Sequence, residues 1–239
     1  MERTRINRIM QDAAALIDAA GFALPPFAHW SPDEFRARAR DAQAIIDARL
    51  GWDITDYGQG DFDRLGLFLF TLRNGSAQDL IAGRGRVYAE KLLISQDGQV
   101  SPMHTHIAKT EDIINRRGAT LAIRLCGSDA QGGLDRDAPV RVQTDGLWRD
   151  IAPGGVLRLG PGESVTLRPG DWHEFWAEGG ACLIGEVSTV NDDLTDNVFA
   201  DPIGRFADVD EDAQPLHLLV SDYAAWLSRE SNATPQARL

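Results

Sequence analysis

Cysteine is scarce: 239 residues contain two, Cys126 and Cys182. Two thiols exclude a disulfide scaffold and a thiolate zinc cluster, and they fit a reducing compartment with both thiols free. Positive charge is also in deficit, with 24 Lys and Arg against 36 Asp and Glu and a formal charge of −12. That balance repels phosphate backbones and anionic lipid, so neither nucleic acid nor a membrane is expected as a partner. No uninterrupted apolar stretch is long enough to span a bilayer. The first residues, Met1 to Arg8, are charged and run into an amphipathic pattern, unlike a secretory leader. The cytoplasm is therefore the expected location. Repeats and low-complexity tracts are missing as well. What remains is a chain with 43% hydrophobic and 25% charged residues, able to bury a real core as one globular unit.

Ile6, Ile9, Met10, Ala13, Leu16, Ile17 and Ala20 recur at helical spacing and stop at Gly21, ahead of Leu24-Pro25-Pro26. A second helix is expected from Ser31 to about Leu50, opened by Pro32 and by a capping box in which Glu34 follows Ser31 by three residues. From Asp53 onward short apolar runs alternate with Gly, Pro, Asp and Asn. Strands are expected at 67–73, 86–95, 120–126, 140–144, 156–159, 164–167, 173–177 and 182–187. So many short strands point to an antiparallel sandwich or barrel of the jelly-roll kind. Residues 191–212 read as a long Asp-rich loop, 221–227 as a short helix, and 228–239 as a loose tail.

Two of the five histidines fall in His104-Thr105-His106, with Glu111 shortly after, and a third closes Pro169-Gly170-Asp171-Trp172-His173. On a strand of period two, His104 and His106 share a face, as two ligands of one metal must. Taken alone, such a pair is equally compatible with ordinary surface or core histidines. The context is more specific. Gly98, His104, His106, Glu111 and Gly118 meet every position of the first cupin motif, G-x5-H-x-H-x4-E-x6-G. The second motif, G-x5-P-x-G-x2-H-x3-N, is met at Gly162, Gly170 and His173, with Arg168 and Ala177 in place of its proline and asparagine. The resemblance to cupins implies a mainly β protein, a cupin-type antiparallel β-barrel (jelly roll) with N-terminal α-helices and a short C-terminal helix. Residues 1–52 would form a helical extension packed on the barrel and 53–227 the barrel with its C-terminal helix. It also implies that His104, His106, Glu111 and His173 hold one divalent metal ion. Nitrogen and oxygen ligands suit Mn, Fe, Co, Ni or Zn, and open positions would admit substrate or water.

Hairpin register suggests what else faces that metal. If Asp97-Gly98 is a two-residue turn, Gln96 pairs with Gln99, and Lys91 falls opposite His104 and into the pocket. A turn at Gly179-Gly180 would likewise set His173 opposite Glu186, an inward carboxylate. A slip of one residue would turn both side chains outward. Lys109 lies at the barrel mouth, against substrate or only solvent. Asn191, Asp192, Asp193, Asp196 and Asn197 offer hydroxyl-binding acceptors and donors, or form a solvated turn. The Gly83-Arg84-Gly85-Arg86 run lacks the strand-to-helix setting of a phosphate loop and reads as a turn. His29 and His217 read as structural, and Trp148, Trp172 and Trp176 as packing or a sugar platform.

Along nearly its whole length the chain resembles the D-lyxose isomerase family of cupins. The resemblance is carried by Leu24-Pro25-Pro26-Phe27, Leu50-Gly51-Trp52-Asp53, the run from Phe70 to Ser76, Tyr88-Ala89-Glu90-Lys91, the run from Val100 to His104, and the run from Glu111 to Arg116. It continues through Phe175-Trp176-Ala177-Glu178, Gly185-Glu186-Val187-Ser188 and Val190-Asn191-Asp192-Asp193, and is weakest over 130–150. It implies a metal-dependent sugar ketol-isomerase interconverting D-lyxose with D-xylulose, and D-mannose with D-fructose, commonly with manganese. Lys91, Lys109 and Glu186 stand at positions that look the same as in the family. The expected roles are Glu186 as general base through an ene-diolate, Lys109 as its catalytic companion, and Lys91 and Asp193 as substrate-binding groups. A hydride shift without a base, or Glu111 as base, would serve the same conversion. Two rival readings keep the barrel: a cupin dioxygenase using iron at the same ligands, and a non-catalytic sugar-binding cupin. Barrel edges make a homodimer the expected assembly.

Overall fold

The computed structural model describes residues 1–227; the tail expected at 228–239 lies outside them. Helix α1, Arg3–Ala19, buries Ile6, Met10, Ala13 and Ile17 along one stripe, each of the larger ones worth about 1.5–3 kcal/mol when fully buried. A 3-10 turn at Pro26–His29 leads to α2, Pro32–Arg38, whose capping box forms as expected. The second helix does not run on to Leu50. It breaks after Arg38, and a separate α3 covers Gln43–Asp47. The stretch between holds small and charged residues only, and a helix is sustained in a protein by packing of an apolar face. Phe35 and Ala42 find such packing, against Leu218, Val220 and Tyr223.

The sheet begins at Gly51, with β1 at Gly51–Thr55 and β2 at Leu67–Arg73. After α4, Ala77–Ala82, come β3, Tyr88–Ser95, β4, Ser101–His106, and β5, Glu111–Ser128. Five short strands follow: β6, Leu134–Asp135, β7, Val140–Thr144, β8, Leu147–Ile151, β9, Val156–Leu159, and β10, Ser164–Leu167. The last elements are β11, Trp172–Thr189, β12, Asn197–Phe199, and α5, Tyr223–Leu227. The main path runs β1-β2-β3-β11-β5-β10-β7-β8, every named pair is antiparallel, and β4, β6, β9 and β12 attach at its sides. This is the jelly-roll barrel the sequence predicts, with helices before it and a short one after it, and with one short helix, α4, that the sequence reading did not expect, between β2 and β3.

Period two sorts the side chains. Leu67, Leu69 and Leu93 enter the barrel core with Ile113, Phe175 and Ile184, while Phe68, Phe70, Leu92 and Ile94 turn outward under α1. Two strands expected at 173–177 and 182–187 are one strand, β11, and the hairpin at Gly179-Gly180 does not exist. Those glycines take φ values of 86° and 138° and bend β11 where its pairing with β5 shifts between Glu178 and Cys182. The Asp97-Gly98 hairpin fails too. Gln99 N–H donates to Gln96 C=O in a turn, but β3 pairs with β2 and β11, and β4 with β11 and β12. A tight turn fixes a reversal of direction, and the two strands leaving it then found partners that cover them better. The loop expected at 191–212 contains β12, which pairs with the histidine strand β4.

Candidate active site

His104 and His106 project from β4, and His173, from β11, lies directly across from His104. The ligand atoms of the three imidazoles lie within 4.8 Å of one another. His104 Nδ1 donates to the Pro102 carbonyl at 2.8 Å and His173 Nδ1 to the Asp171 carbonyl at 3.0 Å. A carbonyl can only accept, so the proton sits on Nδ1 and Nε2 keeps its lone pair for the cluster. Burial, with the neighbouring His173 and His106, pushes His104 well below the ordinary histidine range, leaving it neutral as a ligand must be. His173 Nε2 is buried without a hydrogen-bond partner among the described residues. Glu111, at the start of β5, sets Oε1 at 3.2 Å from His106 Nε2 and 3.3 Å from His173 Nε2. Three imidazoles, two of them with a buried nitrogen that has no hydrogen-bond partner among the described residues, His106 Nδ1 and His173 Nε2, beside a buried carboxylate fit a divalent ion of the Mn to Zn series.

The same cavity, about 450 Å³ including its mouth, holds a chain of opposite charges. Lys109 is not at the solvent: its Nζ lies 2.6 Å from Glu111 Oε2 and 2.9 Å from Glu186 Oε1. Burial opposes its charge, but the two carboxylates outweigh burial and hold Lys109 above the ordinary lysine range. Glu111 is held well below the ordinary range: Lys109 and His106 outweigh the burial that would raise it. Lys91 Nζ lies 3.4 Å from Glu186 and 3.6 Å from Asp193, and donates to Asn191 at 2.7 Å. Both Lys91 and Glu186 face the cavity, as expected, though for another reason. They pair with each other across β3 and β11, each two residues from a core side chain, Leu93 and Ile184. Asp196 accepts from the backbone N–H of Ala108 and Lys109, which fixes the loop carrying Lys109. Asp192 is exposed and forms the turn the sequence allowed for.

Sequence reasoning missed Arg205, Asp53, Tyr57 and Ser101. Arg205 Nη2 lies 2.8 Å from Asp53 and 3.4 Å from Asp193, and Tyr57 OH bonds Ser101 Oγ at 2.9 Å. Burial pushes Tyr57 up to about 12. Asp53 belongs to a segment that carries the family resemblance, while the loop holding Arg205 has no local signature. His217 stacks on Trp52 with ring centroids 5.6 Å apart and is structural. Trp172 packs with Met103 and Cys126, and Trp148 and Trp176 sit under arginines on the outside. None of the three lines the cavity.

Solved structures with this fold include the L-ribose isomerase of Cellulomonas parahominis with L-psicose, at TM-score 0.59 and 15% identity, covering 88% of this chain and 98% of that one. The L-ribose isomerase of Acinetobacter sp. DL28 with L-ribose aligns at TM-score 0.58 and 16% identity, over 88% and 98%. The class is thus a cupin-like barrel with a three-histidine group able to hold a metal ion. The family is narrower. The family model described as D-lyxose isomerase matches residues 1–223. The D-lyxose/D-mannose isomerase of Serratia proteamaculans is 44% identical over 231 residues, 95% of this chain and 100% of the relative. That of Escherichia coli O157:H7 is 42% identical over 226 residues, 93% and 98%. The chain belongs to the D-lyxose isomerase family and is an aldose–ketose isomerase, which displaces the dioxygenase and the non-catalytic readings.

Proposed function

We propose that this enzyme interconverts D-lyxose with D-xylulose, and D-mannose with D-fructose, in a metal-dependent reaction through an ene-diolate. The observation that carries the mechanism is Glu186, a buried carboxylate aimed into the cavity of the imidazole cluster and gripped by Lys109 at 2.9 Å. His104, His106, Glu111 and His173 would hold one divalent ion, with Mn first among Mn, Co, Fe, Ni and Zn. When bound, such an ion supplies Lewis acidity toward the sugar's carbonyl and adjacent hydroxyl oxygens. Glu186 takes the proton from C2 and returns it to C1, so the same carboxyl serves as base and then as acid. Lys109, kept charged by its two carboxylates, has no lone pair to act first as a base; it gives a proton to O1 and takes one back from O2, which completes the shift. Lys91 and Asp193, joined across the cavity wall, hold the hydroxyls further along. The family names D-lyxose/D-mannose of the relatives support these substrates. Two thiols buried and free support a cytoplasmic setting, and the solvent-facing edge strand β8 supports a homodimer.

Two measurements test the reading. Metal-stripped protein should form no ketose, and restoring Mn, Co, Ni, Fe or Zn singly should restore conversion, strongest on D-lyxose. Glu186→Gln, loaded with metal to the wild-type level, should lose about 100-fold or more in kcat; near-normal turnover would remove Glu186 as the base.

A further inference from the structure

Arg205 has more donors than the protein uses. Its Nη2 serves both Asp53 and Asp193, and one face of the guanidinium lies 5.0 Å from the Phe206 ring. The Thr55 hydroxyl donates to the Arg205 carbonyl at 2.9 Å and so holds the backbone as well. The planar fork is therefore fixed in orientation. Nη1 is buried and has no hydrogen-bond partner among the described residues, yet Arg205 lines the cavity. A buried charged donor left unpaired bears its full desolvation cost, so such a group is explained by a partner that arrives from outside.

The charge chain places that partner. From the imidazoles it runs through Glu111, Lys109, Glu186, Lys91 and Asp193 before it reaches Arg205. The reacting carbons must sit beside Glu186 and the imidazoles, so Arg205 faces the other end of an open-chain sugar. Much of the remaining wall is apolar, with Leu67, Leu69, Leu93 and Phe175; of its other polar groups Tyr57 and Ser101 already bond each other, Asn197 lies opposite His106, and Lys91 and Asp193 stand next to Arg205 in the charge chain. We infer that Arg205 is a specificity-determining residue that donates from Nη1 to the O4 or O5 hydroxyl of the open-chain pentose. The inference rests on the isomerase reading above.

The test uses the full, metal-loaded chain with D-lyxose and with analogues lacking the O4 or the O5 hydroxyl. Arg205→Lys keeps a charge for Asp53 and Asp193 but lacks the fork. It should hold the wild-type Tm and metal content and lose about 10- to 100-fold in kcat/KM on D-lyxose, chiefly through KM. On one of the two deoxy analogues wild type should show the same loss, and the variant little further loss, because the interaction is already gone. A wild-type KM in Arg205→Lys, or losses that simply add on both analogues, would reduce Arg205 to a structural clamp and overturn the inference. Arg205→Met serves as the stronger variant if it folds; if it does not, Arg205→Lys decides alone. Wild-type protein that converts no aldose under any metal would instead defeat the isomerase reading, and the inference with it.

Discussion

Lys109 stands between two buried carboxylates, Glu111 and Glu186, that would repel each other without it. It therefore has two tasks: to keep Glu111 ionised beside the histidines, and to hold Glu186 in a single orientation. Lys109→Met preserves the length of the side chain and removes the charge. Turnover of D-lyxose should fall by about 100-fold or more, and elemental analysis should find metal content reduced along with it. A variant with unchanged kcat and full metal occupancy would contradict both tasks. The two lysines differ: Lys91 meets Glu186 at 3.4 Å but donates to Asn191 at 2.7 Å, so its bonds tie the cavity wall more than the reacting centre.

Among the elements, β5 and β11 matter most, because each is 18 residues long and borders the barrel on both sides of a bend. Near its middle β5 passes Gly118 at φ 106°, and a Cβ there would stand 2.3 Å from the Ala181 carbonyl oxygen of β11. Only glycine accepts both the angle and the approach. Gly118→Ala should destabilise the fold by roughly 3 kcal/mol or more, visible as a lower Tm by calorimetry; an unchanged Tm would mean that the bend tolerates a side chain. The first cupin motif thus contains residues of two kinds. Three of its positions face the cavity, and its last glycine lets the two long strands approach closely where their register shifts between Glu178 and Cys182.

At the scale of the whole molecule, the two ends of the described chain are tied by Arg3. Its fully buried guanidinium meets Asp222 at 2.9 Å and Glu211 at 2.6 Å, joining α1 to the segment before α5. Helix α1 in turn covers the outward face of β2 and β3, whose inward face carries Lys91. Removing one partner of a buried pair leaves the other charge uncompensated, at about 3–5 kcal/mol. Arg3→Met should therefore lower Tm by roughly 6–20 °C for a domain of this size, with kcat on D-lyxose unchanged at temperatures where the variant is folded. A fall in kcat without a fall in Tm would show that α1 acts on the site more directly.

Local spacing was sufficient for much of this protein. Period two placed His104 and His106 on one face, the capping box at Ser31 opened α2, and β2, β3, β7, β9 and β10 begin and end close to where turn residues mark them, whereas β5 starts nine residues before the strand expected at 120–126. The motif that joins His104, His106 and Glu111 is equally local, since all three lie within eight residues of chain. Partner choice was not legible. An Asp-Gly or Gly-Gly pair signals a turn whether or not the flanking strands then pair, so both expected hairpins were wrong, although Lys91 and Glu186 still point inward. Their meeting depends on β3 lying beside β11, which follows from burying Leu93 and Ile184 in one core and Leu92 and Leu183 in another. Lys109 became a buried bridge, and not a surface charge, only because β5 and β11 bring Glu111 and Glu186 to its two sides. Arg205 joined the cavity only because Asp53, 152 positions away, anchors it there, a contact between distant segments that no local pattern encodes.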